Sequence, residues 1–220
     1  MTKKWFFAFV GCALLALAAD RSLFDWPAVY AAAKPITLVL VIAFALDRGG
    51  AQRRRAVLVA LGFSLVGDIA LLWPREGFLP GLVAFLLAHL AYLYAFTRGQ
   101  RFAAAVTPFV GYAVVAGVIL ALLWPGVPGA LRLPVLAYVI ALSAMAAQAA
   151  VGWWLHRAEV GTGTALARRA ALGGALFVLS DAMLATNRFG ITLPMAALWI
   201  LPAYWAAQWL IASSLPARDD

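Results

Sequence analysis

The chain is poor in the residues that build disulfides and zinc sites. Its 220 residues include a single cysteine, Cys12, so no internal disulfide can form. The two histidines, His89 and His156, supply too few ligands for a site of three or four His and Cys side chains. The sequence therefore predicts no metal site, and no motif in it points to a cofactor.

Charged residues are also scarce, at 12% of the chain, whereas apolar residues make up 65%. Soluble domains are about 45–50% apolar, so this composition indicates an integral membrane protein. Its apolar runs are long enough for helices that cross a hydrocarbon core of about 30 Å. They lack the alternation over about 10 residues that marks membrane barrels. A net charge of +8 reports topology in such a protein, so no nucleic-acid partner is predicted.

We predict an all-α fold, a polytopic transmembrane helix bundle of about eight spans that forms one membrane domain over residues 1–220. Turn residues and charges separate the apolar runs. The predicted spans are 4–19, 27–46, 56–73, 78–97, 102–124, 131–155, 169–187 and 192–214. The first run also resembles a signal peptide, with Lys3-Lys4 before it and Ala16-Leu17-Ala18 near its end. Its cleavage would leave seven spans.

The basic residues predict how the bundle lies in the membrane. Twelve Lys and Arg residues fall on one side of the predicted spans and four on the other, while Lys34 lies inside a span. Because basic residues accumulate on the cytoplasmic side, both termini are predicted to be cytoplasmic. We expect a multi-pass protein of a bacterial-type inner membrane.

Two aspartates, Asp68 and Asp181, lie inside the third and seventh predicted spans. A carboxylate near the middle of a bilayer costs roughly 2.5–3.5 kcal/mol on insertion scales, so two of them indicate a functional site. Each follows a basic pair by about a dozen residues and precedes a proline that opens the next span. These matching settings fit a parallel four-plus-four internal repeat.

Other polar side chains reach the level of these acids. From the helical rise of 1.5 Å per residue, Asp68, Asp181 and Lys34 all lie roughly 8–10 Å below the outer surface. His89 lies nearer the middle of the fourth span, on one helical face with Phe85 and Tyr92. The further candidates for substrate binding or support are Tyr92, Asn187, Arg188, Tyr204 and Gln208. Arg188 could hold a lipid phosphate through two hydrogen bonds.

Structural roles remain open for several of these residues. Lys34 could form a structural ion pair with one aspartate or extend outward to the surface. His89 could be a hydrogen-bonded core histidine, and Arg188 could simply flank its span. Tyr92 and Tyr204 could be interface anchors, as is usual for tyrosine and tryptophan near span ends.

The order of these motifs resembles the YhhN family, which includes the lysoplasmalogenases of animals and bacteria. The resemblance covers nearly the whole chain. Its elements are Lys34-Pro35, Gly67-Asp68, Phe78-Leu79-Pro80-Gly81, Phe85, His89, Tyr92, Ser180-Asp181, Asn187-Arg188-Phe189, Tyr204 and Ala207 to Ile211. It implies a bundle of about eight helices that hydrolyses the vinyl ether bond of a lysoplasmalogen. The implied products are a fatty aldehyde and glycerophosphocholine or glycerophosphoethanolamine.

Two carboxyl groups could perform this reaction without a metal or a nucleophilic serine. One would deliver a proton to carbon, and the other would stabilise the positive charge and activate water, much as in glycosidases. Asp68 and Asp181 are the predicted catalytic residues, with a lysophospholipid and the surrounding membrane lipids as partners. The alternative is a proton-coupled transporter of a small molecule or lipid, which would also use buried acids and an internal repeat.

Overall fold

The computed structural model describes residues 2–73 and 75–218. Within these ranges the chain is all-helical, with one helix for each predicted span. The helices are α1 (Thr2–Ala19), α2 (Pro27–Leu46), α3 (Ala51–Ala70), α4 (Phe78–Thr97), α5 (Val106–Leu123), α6 (Gly129–His156), α7 (Thr162–Phe189) and α8 (Ala196–Ser213). Met1, Pro74, Asp219 and Asp220, which belong to the predicted domain, lie outside the described residues.

Several helices are long and apolar enough to cross a membrane, which makes the chain a multi-pass membrane protein. In the described ranges five segments meet both conditions: α2, α4, α5 with the short 3-10 turn after it, α6 and α7. By contrast, α3 carries three arginines at its start and Asp68 near its end. The count of eight spans therefore stays a prediction, as does the placement of the termini.

The helices α3 and α7 begin well before the predicted spans. Their basic pairs, Arg54-Arg55 and Arg168-Arg169, lie inside the first turns of helix rather than in the preceding loops. The prediction followed hydropathy alone, whereas a helix continues through polar residues as long as its backbone hydrogen bonds are made. At the other end, α3 stops at Ala70, so Asp68 lies in its last turn rather than five residues from its end.

The bundle core forms where α3 packs on α4 and α7 packs on α8, with α6 joining α4 to α7. Small residues allow the closest approach: a Cβ on Gly173 of α7 would lie 2.7 Å from Ile211 Cγ1 and 3.0 Å from the Ala207 carbonyl oxygen of α8. Such small-residue contacts are typical of membrane helix pairs. The helix α5 contributes little to the core, since Pro108 is its one buried residue.

One end of the bundle is rich in arginine side chains that hold the C-terminal segment. Arg48 donates to the carbonyl oxygen of Leu215 through Nε and Nη2, at 3.2 and 2.7 Å. Arg53 and Arg169 donate to Ser214 Oγ and the Ser213 carbonyl oxygen, each at 3.1 Å. Burial, and then the nearby Arg169, lowers the pKa of the Arg48 guanidinium. These contacts fix the start of α3 and α7 against the end of α8.

Candidate functional site

The first buried acid, Asp68, lies in a cluster made by α2, α3 and α8. Lys34 Nζ is 3.6 Å from Asp68 Oδ1, and the Tyr204 hydroxyl donates to Asp68 Oδ2 at 2.8 Å. The side chains of Lys34 and Asp68 are only 6% and 3% exposed, so they form a buried ion pair. The interpretation of Lys34 as a residue that extends outward, and of Tyr204 as an interface anchor, is therefore wrong.

Lys34 also completes the end of α3. Two donors reach carbonyl oxygens in the last turn of this helix. The Leu72 amide donates to the carbonyl oxygen of Ile69, and Lys34 Nζ donates to the carbonyl oxygen of Asp68 at 3.3 Å. The last carbonyls of a helix have no partner within it, and a cation is favoured beside them. Lys34 thus neutralises both the carboxylate and the end of the helix that carries it.

The second acid, Asp181 on α7, has different partners. The Tyr138 hydroxyl on α6 donates to Asp181 Oδ2 at 2.5 Å. His89 Nε2 on α4 lies 3.0 Å from the Tyr138 oxygen and 3.6 Å from Asp181 Oδ2. His89 is fully buried, whereas the Asp181 side chain keeps 11% of its surface exposed. Asp181 is therefore the acid that can meet a bound molecule.

Aromatic rings separate the two clusters. Phe177 packs edge-on against both Tyr204 and His89, with ring centroids 5.5 and 4.7 Å apart. Phe85 packs against Tyr204 at 5.7 Å, and a Cβ on Gly67 would lie 2.6 Å from its ring. The sequence predicts a common depth for Lys34 and both acids but not which acid Lys34 contacts; in the structure Lys34 pairs with Asp68, whereas Asp181 contacts a tyrosine and a histidine.

The two clusters draw their helices in matching order. The first uses α2, α3 and α8, and the second uses α6, α7 and α4. In chain order, α6, α7 and α4 are each four helices away from α2, α3 and α8 respectively. Each acid thus takes one partner from its own half of the chain and one from the other half. This arrangement fits the predicted four-plus-four repeat, which remains a prediction.

Further polar candidates lie deeper in the core or at the end of α7. The Tyr92 hydroxyl donates to Gln208 Oε1 between α4 and α8, and both residues are buried. The interface-anchor interpretation is therefore wrong for Tyr92 as well. Asn187 Oδ1 accepts the amide hydrogen of Leu193 at 2.9 Å, which shapes the turn after α7. The Arg188 guanidinium stacks on the Phe78 ring, with its carbon 4.7 Å from the ring centre.

A mostly apolar cavity lies among α4, α5, α6 and α7, and Asp181 is on its wall. Its volume is about 110 Å³, and it is partly open to the surroundings. Its polar lining comes from Tyr138, Ser143, Asp181 and Arg188, and its apolar lining includes Leu82, Phe85, Ile119, Leu120, Leu142 and Phe189. Asp68 is not among the described residues that line it. The shape and lining suit a molecule with a long apolar part and one charged end.

Sequence reasoning missed Tyr138, although one signal for it existed. Tyrosines near span ends are usually interface anchors, but Tyr138 lies seven residues inside the predicted sixth span. A hydroxyl at that depth needs a partner, and Asp181 supplies one. Within the described residues, no three His, Cys, Asp or Glu side chains gather as ligands of a metal ion would.

Comparison with known proteins gives the family. Residues 29–215 match the model of the YhhN family. The chain is 34% identical to the lysoplasmalogenase TMEM86B of Sus scrofa over 196 residues, which cover 87% of this chain and 76% of the relative. It is 35% identical to TMEM86A of Homo sapiens over 165 residues, covering 74% and 66% of the two chains.

A bacterial relative is similarly close. The lysoplasmalogenase of Mycobacterium tuberculosis is 32% identical over 182 residues, which cover 80% of this chain and 66% of the relative. No solved structure matches the chain. The matched residues run from the first turn of α2 past the end of α8 and include both acid clusters and the cavity. This chain therefore belongs to the YhhN family.

Proposed function

We propose that this chain is a lysoplasmalogenase, which hydrolyses the vinyl ether bond of an alkenyl glycerophosphocholine or glycerophosphoethanolamine within the membrane. The observation that carries the proposal is the position of Asp181, a carboxyl group on the wall of an apolar cavity. Relatives that match most of this chain bear the same activity in their names. The alkenyl chain would lie along the apolar lining, beside the acid.

Arg188 is the proposed partner of the head group. It lies seven residues after Asp181 on α7, so the two are separated by about 10 Å along the helix axis. Both line the same cavity, and Arg188 is exposed at its end of the helix. A guanidinium group binds a phosphate through paired hydrogen bonds. A lysolipid anchored there by its phosphate would place its glycerol and vinyl ether between Arg188 and the acid.

The reaction starts with Asp181 in its protonated form. Its proton goes to the second carbon of the vinyl ether, which leaves positive charge shared between the first carbon and the ether oxygen. The resulting carboxylate stabilises that charge and then accepts a proton from the water that adds to the first carbon. The hemiacetal formed in this way loses its hydroxyl proton as the ether oxygen gains one. One water is consumed, and an aldehyde and an alcohol are released.

Asp68 has a supporting role in this proposal. It lies outside the cavity lining, but it neutralises Lys34 and accepts the Tyr204 hydroxyl proton in its hydrogen bond. Tyr204 in turn packs on Phe85, which does line the cavity. Loss of the Asp68 charge would leave Lys34 as an unpaired buried cation and disturb this wall. Activity should therefore depend on both aspartates, for different reasons.

The test is to incubate the purified protein in lipid nanodiscs with alkenyl and acyl lysophospholipids and to measure aldehyde and fatty acid. We expect aldehyde from the alkenyl lipid only. Asp181→Asn should abolish aldehyde release while the protein remains folded, whereas Asp68→Asn should lower aldehyde release because it leaves Lys34 uncompensated. Asp25→Asn is the matched control, because Asp25 lies in an exposed loop. Full activity in Asp181→Asn would exclude the carboxyl mechanism.

The transporter alternative gives a different result in the same preparation. It requires uptake of a solute into proteoliposomes without product formation. The names of the relatives favour hydrolysis, and the aldehyde measurement separates the two functions.

A further inference from the structure

Tyr138 is the side chain on the cavity wall that contacts Asp181 directly. Its hydroxyl donates to Asp181 Oδ2, and both residues line the cavity. We propose that Tyr138 is a positioning residue for the reaction, which holds the Asp181 carboxyl group with its Oδ1 oxygen as the proton-carrying atom. This inference rests on the proposed function. It also includes His89, which contacts the Tyr138 hydroxyl.

The direction of the hydrogen bonds supports this role. A tyrosine hydroxyl has one proton, and here it is directed to Asp181 Oδ2. In the described residues, both polar contacts of Asp181 involve Oδ2, and Oδ1 has none. An Oδ2 atom that accepts a hydrogen bond is the poorer place for the acidic proton, so the protonated carboxyl carries it on Oδ1. That oxygen is the one left free to act on a bound molecule.

His89 continues the same chain of hydrogen bonds. Because the Tyr138 proton is already donated, the tyrosine oxygen accepts from His89 Nε2 across 3.0 Å. This assigns the proton of a neutral His89 to Nε2, which agrees with a buried Nδ1 that has no hydrogen-bond partner among the described residues. The ring is also held between Phe177 and Tyr138, at centroid distances of 4.7 and 5.1 Å. His89 therefore helps to hold the Tyr138 hydroxyl in place through this hydrogen bond.

The hydrogen bonds from His89 to Tyr138 and from Tyr138 to Asp181 are strongest after the proton has left Asp181. The carboxylate then carries a negative charge, and a hydrogen bond to a charged acceptor is about twice as strong as one between neutral groups. Tyr138 thus stabilises the state that follows proton transfer more than the state that precedes it. An interaction of this kind lowers the barrier and affects kcat rather than substrate binding.

The test compares Tyr138→Phe with Tyr112→Phe, which makes the same change on α5 outside the cavity lining. For Tyr138→Phe we expect kcat to fall about 10- to 100-fold with KM changed less than about twofold. Tyr112→Phe should keep the wild-type kcat and KM. A kcat at the wild-type level in Tyr138→Phe would overturn the proposal.

A spectroscopic measurement separates this inference from the proposed function. Infrared absorption of the Asp181 carboxyl group, identified by its loss in Asp181→Asn, should shift in Tyr138→Phe and not in Tyr112→Phe. An unshifted band would overturn the Tyr138 contact whatever the substrate is. Absence of aldehyde from the wild-type protein would instead overturn the proposed function. If Tyr138→Phe does not fold, His89→Gln interrupts the same chain and should also shift the band and lower kcat.

Discussion

At the scale of single residues, Asp68 could affect activity in two ways: by neutralising Lys34 or by acting on the substrate itself. Lys34 and Asp68 are buried together, and Lys34 also binds the backbone carbonyl of Asp68. Removing one member of a buried ion pair leaves the other uncompensated and typically costs about 3–5 kcal/mol. An inactive Asp68 variant is therefore not by itself proof that this carboxyl acts on the substrate.

A double substitution distinguishes the two roles of Asp68. We expect Asp68→Asn to lower the unfolding temperature and aldehyde release, and Lys34→Met/Asp68→Asn to recover both in large part. The physical reason is that the double variant buries no unpaired cation. Thermal unfolding and aldehyde release measured on the same preparations check this. A double variant that is stable but inactive would show instead that Asp68 itself takes part in the reaction.

Arg188 gives a second prediction at this scale. Arg188→Gln should raise KM for the lysolipid about tenfold, with kcat changed little, because it removes a phosphate contact present before and during the reaction. Arg132→Gln is the control, since Arg132 stacks on Trp124 and does not line the cavity. A KM that stays at the wild-type level in Arg188→Gln would place the head group elsewhere.

At the scale of elements, the glycine contacts between helices decide how closely the bundle packs. Gly173 faces both a side chain and the backbone of α8, whereas a Cβ on Gly62 of α3 would meet nothing within 4 Å. The two glycines occupy similar helix interiors but different surroundings. The same change, glycine to alanine, should therefore destabilise the protein at Gly173 but not at Gly62.

We expect Gly173→Ala to destabilise the protein by about 1–3 kcal/mol, because the added methyl group pushes α7 and α8 apart. Gly62→Ala should be neutral or stabilise by up to about 1 kcal/mol, owing to the better helix propensity of alanine. Thermal unfolding in one detergent measures both. Equal unfolding temperatures for the two variants would contradict the close α7–α8 contact.

The helices themselves can be predicted from the sequence, whereas the contacts between them cannot. Hydropathy located all eight helices, and periodicity correctly placed Phe85, His89 and Tyr92 on one buried face. Pairing across helices could not be predicted, because helix rotation is set by packing of side chains far apart in the chain. For this reason the sequence placed Lys34 and both acids at one depth without showing which acid Lys34 contacts, and it did not reveal Tyr138 or the aromatic rings around Phe177.

At the scale of the whole molecule, the two halves of the chain depend on each other. Asp181 and Tyr138 lie in the second half, but His89 comes from α4 in the first. Conversely, Tyr204 of α8 completes the cluster of Lys34 and Asp68. Neither half contains a complete acid cluster.

Dividing the chain between α4 and α5 tests this dependence. The two fragments, 1–101 and 102–220, should be inactive when expressed separately and should release aldehyde when expressed together. Co-expression of the first fragment with an Asp181→Asn second fragment is the control and should remain inactive. Aldehyde release by one fragment alone would show that a single half forms a working site.

The shallow burial of α5 has a practical consequence for every measurement of activity. This helix forms one wall of the cavity, yet a single residue of it, Pro108, is buried against the rest of the chain. Most of the α5 surface is therefore left for lipid tails to cover. We expect a detergent that strips those lipids to loosen α5 before the other helices. Bilayer thickness and lipid retention thus become variables of the enzyme assay, to be controlled like pH or salt.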